Sequence, residues 1–318
     1  MRITTIALGG RKRLVAVTED RIIDLNGACF SLMRSRGLSD AQSRADAELP
    51  SDLLRFLEQG DEALESARRA IDHALKKGGG EPGIFHVRDA VTFRASHRPP
   101  KIVCTGNNYR DYREMLGIPA SAVPLLIFKS PTAVIGQEET IFIPQGHGPV
   151  FHEWEFSCII SKRCKNVPRQ DARKVIYGYT ILDDLTGRSF EATNRELKSW
   201  GKNMDTFAPM GPWIVTADEA PGDLYNLRTT RRRNGIVECQ SNTGNMDFGF
   251  EEIIEFVTTY MTLEPGDVIT TSTPPAGPIL PGDLIEAEIE GIGILRNPVE
   301  AMEVDLKYVE KVQLKLQV

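Results

Sequence analysis

Apolar and polar positions alternate at the start of the chain, at Ile3, Thr5 and Ala7, then in Arg13-Leu14-Val15-Ala16-Val17, then in Arg21-Ile22-Ile23-Asp24-Leu25. A period of two predicts three short strands. From Ser51 to Lys77 the period lengthens. Leu54, Leu57, Leu64, Ala67, Ile71 and Leu75 fall at helical spacing on either side of Gly60, and Gly78-Gly79-Gly80 follows, which predicts two short amphipathic helices and a stop. A linker-like stretch then runs through Pro82-Gly83 to His97-Arg98-Pro99-Pro100, where the prolines deny the chain helix and ladder hydrogen bonds. The division into a small N-terminal α+β domain, residues 1–98, and a larger domain, residues 99–318, is placed there.

The larger part reads as mainly β. Ile102-Val103-Cys104, Leu125–Phe128, Ile141–Ile143, Glu155–Ser161, Trp213–Thr216, Val268–Thr271 and Leu284–Ile289 are short, β-branched-rich runs bounded by Gly, Pro or Asp. Phe250–Met261 is the best helix. Asn234-Gly235 between two polar-apolar runs predicts a two-residue hairpin, because both positions accept positive φ. The run Arg231-Arg232-Arg233 beside it is read as charge on an exposed strand that discourages edge pairing. Pro265-Gly266-Asp267 and Pro281-Gly282-Asp283 are two copies of one turn, each before an apolar strand. The fold class expected is mainly β (α+β).

Composition narrows the function. With 38 Lys and Arg against 44 Asp and Glu the net charge is −6, which argues against a nucleic-acid partner. No apolar run approaches the ~20 residues of a membrane span, and no signal segment opens the chain, so no membrane partner and a cytoplasmic location are expected. The five cysteines are scattered without a Cys-x-x-Cys pair and are read as reduced.

The chemistry centres on Phe151-His152-Glu153-Trp154-Glu155-Phe156-Ser157-Cys158-Ile159-Ile160. As a strand it would turn Trp154, Phe156, Cys158 and Ile160 to the core and place Glu153 and Glu155 together on the other face, roughly 7 Å apart. From this segment alone, two solvated glutamates are the ordinary reading. Ile176–Leu182 then runs into Asp183-Asp184, with Thr186 and Arg188 beyond. Carboxylates ending a buried strand are costly unless paired or bound to metal. Three carboxylates without His or Cys ligands favour Mg²⁺, Mn²⁺ or Ca²⁺ over zinc.

At these residues the sequence resembles the fumarylacetoacetate hydrolase superfamily, acylpyruvate and fumarylpyruvate hydrolases in particular. The resemblance is carried by Gly106-Asn107-Asn108-Tyr109, Phe128-Lys129-Ser130-Pro131, His152-Glu153-Trp154-Glu155, Gly178-Tyr179-Thr180, Asp184-Leu185-Thr186-Gly187-Arg188 and Gly201-Lys202. It continues in Asp205–Trp213, Asn234-Gly235, Gln240-Ser241-Asn242-Thr243, Pro265–Ile269 and Thr271-Ser272-Thr273-Pro274. It implies a mixed β-sandwich or β-roll behind a small N-terminal domain, a homodimer, and Mg²⁺ (or Mn²⁺ or Ca²⁺) held by Glu153, Glu155 and Asp184. It further implies Lys202 on the substrate side, with Gln240 and Thr273 as polar contacts and Lys129 at another family position. Tyr109 and Arg188 are counted with the substrate contacts. The substrate expected is a small anionic diketone or 2-oxo acid whose carbon–carbon bond is hydrolysed, the metal polarising the carbonyl.

The chain departs from the family where water is activated. Hydrolytic members carry a histidine with a glutamate close behind; here Tyr112 stands in the histidine's place and Glu114 falls one residue early. A phenol of ordinary pKa ~10 is a poor base near neutrality, which keeps a lyase, dehydratase, isomerase or decarboxylase open beside the hydrolase, and a silent scaffold behind both. A proline-rich turn, Pro274-Pro275-Ala276-Gly277-Pro278, replaces the usual glycine-rich one, and Ser189 replaces an aspartate. His152 is expected to be packed or at a rim, His147 is a weak alternative base, and His73 and His86 have no assigned role.

Overall fold

The alternation at the start of the chain becomes an antiparallel meander in a computed structural model that describes residues 1–78, 83–145, 149–188 and 199–304. Strands Arg2–Leu8, Arg11–Val17 and Ile22–Asp24 lie side by side. The first also pairs with Ala208–Thr216, through Arg2↔Val215 and Ile3↔Ile214. One sheet therefore crosses the division at residue 98 and continues through Ile176–Asp183, Trp154–Ile160, Val268–Thr270 and Ile102–Gly106 to Leu125–Lys129. A single apolar cluster likewise joins Ile3, Leu25 and Phe56 to Ile102, Ile159, Leu182 and Ile214.

Helices Leu53–Glu58 and Asp61–Lys76 form where the spacing predicts them, separated by Gly60 at φ 66°. Helices Leu25–Ser35 and Ala41–Glu48 escape the periodicity. Leu25, read as a strand end, starts a helix because Asp24 caps it: the Asp24 carboxylate accepts the Gly27 N–H at 2.9 Å while Arg13 grips both its oxygens. Gly27, Cys29 and Ser31 are weak helix formers that blur the apolar stripe, so this helix depends on its cap and on packing against Asp61–Lys76. Helix Phe250–Tyr260 matches its expectation, and Arg110–Leu116 is an unforeseen helix of about two turns over the later site. Among the described residues no helix is long and apolar enough to cross a membrane.

The remaining strands form two smaller sheets. Asn234 and Gly235, at φ 54° and 77°, make the expected hairpin between Arg228–Arg233 and Ile236–Asn242. The arginines are not on an exposed edge, which corrects the reading of Arg231–Arg233: Ile236–Asn242 takes the outside, and Arg228–Arg233 lies between it and Leu284–Ile289. Arg231 is buried, its guanidinium 5.7 Å from the Trp154 ring centre and packed on Gly277. Arg232 pairs with Glu288, and Arg233 with Glu238 and Asp283. A hairpin signal says which two strands pair, not which lies outermost. Both Pro-Gly-Asp turns close identically: Asp267 Oδ2 accepts the Glu264 N–H at 2.7 Å and Asp283 Oδ2 the Leu280 N–H at 2.8 Å.

Candidate active site

Three neighbouring strands of the large sheet, Ile176–Asp183, Trp154–Ile160 and Val268–Thr270, are succeeded in a three-stranded sheet by Thr186–Gly187, Val150–His152 and Gly277–Ile279, in the same lateral order. Where each chain crosses from one sheet to the other its ladder is interrupted, and side chains take over the hydrogen bonds that strands would otherwise make. Glu153 lies in one crossing, Asp184 in the next, Ser272 and Thr273 in the third. With Glu155 they line a cavity of about 450 Å³ walled on its apolar side by Leu116, Ile118, Leu125 and Ile127.

The solvated reading of the glutamates does not hold, because every residue of Trp154–Ile160 is buried; Glu153 is 8% exposed, Glu155 and Asp184 each 1%. Lys202, at the end of the short turn Trp200–Lys202, brings its ammonium 2.5 Å from Asp184 Oδ2, 2.7 Å from Thr186 Oγ1 and 3.0 Å from Glu153 Oε2. Lys129 meets the other oxygen of Asp184 at 2.7 Å and donates to the main-chain carbonyls of Leu185 and Lys202. Burial opposes both charges, yet the two ammoniums hold the Asp184 carboxyl below its usual range, and Asp184 and Glu153 hold the Lys202 ammonium well above its own.

Glu155 is placed differently. It accepts from the Thr270 hydroxyl and, at 3.1 Å, from the Ser272 N–H, and it makes no ion pair with lysine or arginine among the described residues. Burial, reinforced by the charge of Asp184, pushes its carboxyl well above the usual range. A buried carboxylate without its own counter-ion, beside two others, is a donor set suited to a hard divalent cation. Among the described residues no three His, Cys, Asp or Glu side chains converge as a finished ligand cluster; the Lys202 ammonium lies between Glu153 and Asp184. Glu153, Glu155 and Asp184 are nevertheless the residues that would hold such an ion.

At the opposite side Arg188 lies 3.1 Å from Glu153 Oε1, stacks 3.7 Å from the Phe151 ring centre and donates to the Tyr112 hydroxyl. Burial raises the Tyr112 phenol above its ordinary range although Arg188 opposes the rise, so the phenol is neutral and its own proton is free for a ligand.

The fumarylacetoacetate hydrolase C-terminal family matches residues 101–300. The chain belongs to this family. The mitochondrial oxaloacetate tautomerase FAHD2A of Bos taurus is 36% identical over 262 residues, covering 79% of this chain and 80% of that one. Among solved structures, the maleylpyruvate hydrolase of Sphingobium sp. SYK-6 in complex with manganese(II) and pyruvate aligns with a TM-score of 0.71 at 28% identity, over 95% of this chain and 99% of the other. The 2-hydroxyhepta-2,4-diene-1,7-dioate isomerase of Mycobacterium marinum aligns with a TM-score of 0.70 at 28% identity, over 95% and 98%. The mixed, mostly β fold expected from the sequence is thus the fumarylacetoacetate hydrolase fold, and the chain is an enzyme of a family whose members include hydrolases, isomerases and a tautomerase.

Of the residues named from the sequence of this family member, Glu153, Glu155, Asp184, Lys202, Tyr112, Arg188 and Thr273 line one cavity. Lys129 does not reach it; it stands behind Asp184. Tyr109, also placed among the substrate contacts, is buried with its phenol bonded to the Thr271 side chain and is absent from the cavity wall. Gln240 is exposed on the outer strand opposite Thr230, and Glu114 is exposed on Arg110–Leu116, so neither lines the cavity. The helix phase explains the last case: Tyr112 turns inward, and a residue two positions on cannot share its face. His152 is packed, as expected, and His147 and Ser189 lie outside the described residues. Sequence reading assigned no role to Thr186, Thr270 or Ser272, whose hydroxyl or main-chain groups complete the bonding of Lys202 and Glu155. For Thr270 and Ser272 the signal is the threonine- and serine-rich run 270–273 at the end of a buried strand.

Proposed function

We propose that this chain is a divalent-cation-dependent enzyme that moves a proton next to the carbonyl of a small anionic 2-oxo acid, a tautomerase or isomerase. The observation that carries this reading is the wall of the cavity, which holds three carboxylates, Lys202, Arg188 and a neutral Tyr112, and no histidine among the described residues. Glu114, the other half of the family's water-activating pair, is turned out to solvent. Enolisation needs a polarised carbonyl, a base that takes the α-proton and a hydrogen-bond donor to the enolate oxygen, not an activated water. The bases in the cavity wall among the described residues are its carboxylates.

Held by Glu153, Glu155 and Asp184, a divalent cation would polarise the carbonyl and stabilise the enolate. The Lys202 ammonium adds positive charge on the same side, and Arg188 at the half-exposed rim faces the substrate's carboxylate. Tyr112, whose oxygen already accepts from Arg188, gives its hydrogen bond to the enolate oxygen. The likeness to an oxaloacetate tautomerase supports a small 2-oxo dicarboxylate as the substrate class.

Hydrolysis of a carbon–carbon bond in an acylpyruvate-like substrate is the second reading, favoured by the likeness to the maleylpyruvate hydrolase structure. Calorimetric titration of the chelator-stripped protein with Mn²⁺ and Mg²⁺, then with oxalate, tests the cation and the enolate-like ligand together. Loss of the enol absorbance of oxaloacetate without carbon–carbon cleavage supports the first reading. Solvent ¹⁸O entering a product carboxylate supports the second, and no metal binding overturns both.

A further inference from the structure

Asp183 and Asp184 are neighbours in sequence, but they face opposite ways. Asp184 enters the cavity. Asp183, buried at 1% exposure, directs Oδ1 to the main-chain N–H of Glu153 at 3.0 Å and Oδ2 to His152 Nε2 at 2.9 Å. The Asp184 N–H in turn donates to the Glu153 carbonyl at 2.8 Å. Both main-chain groups of Glu153 are therefore held by this aspartate pair, one through a side chain and one through the backbone.

The reason lies in the crossing between sheets. Val150–His152 pairs with Thr186–Gly187 and Gly277–Ile279, while Trp154–Ile160 pairs within the large sheet, so Glu153 belongs to neither ladder. A buried N–H outside a ladder needs another acceptor. Asp183 is the last residue of its strand and lies directly opposite Trp154, which puts its carboxylate within reach.

We infer that Asp183 is a positioning residue: it fixes the peptide of Glu153 and thereby the direction of the Glu153 carboxylate toward the cation and Lys202. This rests on the cation site of the proposed function. Removing a group that orients a metal ligand weakens metal binding by roughly 10- to 100-fold. Asn at this position keeps an acceptor for the Glu153 N–H.

The experiment compares wild type, Asp183→Ala and Asp183→Asn by calorimetric titration with Mn²⁺ and, in chelator, by amide hydrogen exchange at residue 153. Expected are Mn²⁺ binding weakened roughly 10- to 100-fold in Asp183→Ala and largely restored in Asp183→Asn, with the Glu153 amide exchanging faster only in Asp183→Ala. Unchanged protection of that amide in Asp183→Ala, or equal weakening of Mn²⁺ binding in both variants, overturns the inference. If Asp183→Ala does not fold, Asp183→Asn decides alone, since loss of Mn²⁺ affinity or of amide protection there contradicts positioning by an acceptor and retention of both upholds it. If wild type binds no Mn²⁺ while the exchange pattern is as expected, the cation reading fails and the fixing of Glu153 by Asp183 stands.

Discussion

The Lys202 ammonium lies 2.5 Å from the Asp184 carboxylate, with both side chains almost wholly removed from solvent. An ion pair so buried is kept only while both partners remain. Lys202→Met leaves two anions, Asp184 and Glu153, short of a counter-charge. It should cost about 3–5 kcal/mol of stability, read by urea unfolding of the metal-free protein, and turnover should fall with it. Unchanged stability would show that Lys129 alone suffices for Asp184.

Glu155→Gln is expected to act in the reverse sense on the fold. The substitution replaces a buried carboxyl that burial already holds toward its neutral form and whose partners are a hydroxyl and an N–H, so stability in chelator should stay level or rise, while Mn²⁺ binding is lost. A variant that binds Mn²⁺ as wild type does would remove Glu155 from the ligand set.

Tyr112→Phe keeps the ring against the cavity wall and deletes the hydroxyl that Arg188 holds. Turnover should drop by about 10²- to 10⁴-fold, the usual worth of a positioned acid, with Mn²⁺ affinity unaltered. A variant with normal turnover would leave Tyr112 as packing.

His97 joins the linker to the first Pro-Gly-Asp turn, with Nε2 2.7 Å from the Gly266 carbonyl and Nδ1 3.0 Å from Ser96 Oγ. Burial lowers its pKa to about 4, whereas the unfolded chain has a histidine near ~6.5. The unfolded state binds the proton first as pH falls, so stability is full above pH ~6.5 and drains away between there and about pH 4. Roughly 3 kcal/mol is at stake over that window. His97→Gln should flatten this part of the stability–pH curve, measured by urea midpoints at successive pH values; an unchanged slope would assign the acid sensitivity elsewhere.

Arg231 and Gly277 form a tight contact: a Cβ on residue 277 would fall 1.9 Å from Arg231 Nη1. The guanidinium Nε and Nη1 have no hydrogen-bond partner, Nη2 meets Glu238 at 3.2 Å, which Arg233 also holds, and burial lowers the pKa of the group although Glu238 opposes it. Gly277→Ala should therefore destabilise by about 1–3 kcal/mol, and Arg231→Met should melt at or above the wild-type midpoint. Combined, the two changes should show much less than the Gly277→Ala loss; simple additivity would mean that the contact is not the cause.

The local signals that were legible in this sequence share one trait: their physics is complete within a few residues. Asn234-Gly235 makes its hairpin because positive φ is a property of those two residues, and Leu53–Glu58 and Asp61–Lys76 follow from spacing and a glycine between them. Asp24 shows the limit, since the cap that starts Leu25–Ser35 relies on Arg13 from another strand. The chemical nature of the site was legible in part, because carboxylates ending a buried strand at Asp183-Asp184 are costly without a purpose, while Glu153 and Glu155 gained their meaning beside them and Lys202 was placed by the family resemblance.

What the sequence by itself determined is therefore the family, the mostly β class and the residue types of the site. Only the tertiary structure decided which of them meet. It sent Asp184 into the cavity and Asp183 behind it, drew Lys129 out of reach of a ligand, left Gln240 and Glu114 in solvent, and buried Arg231 on an inner strand. Those outcomes depend on strand order and on the crossing of three strands between two sheets. Both are set by contacts between residues far apart in the chain, which no local pattern contains.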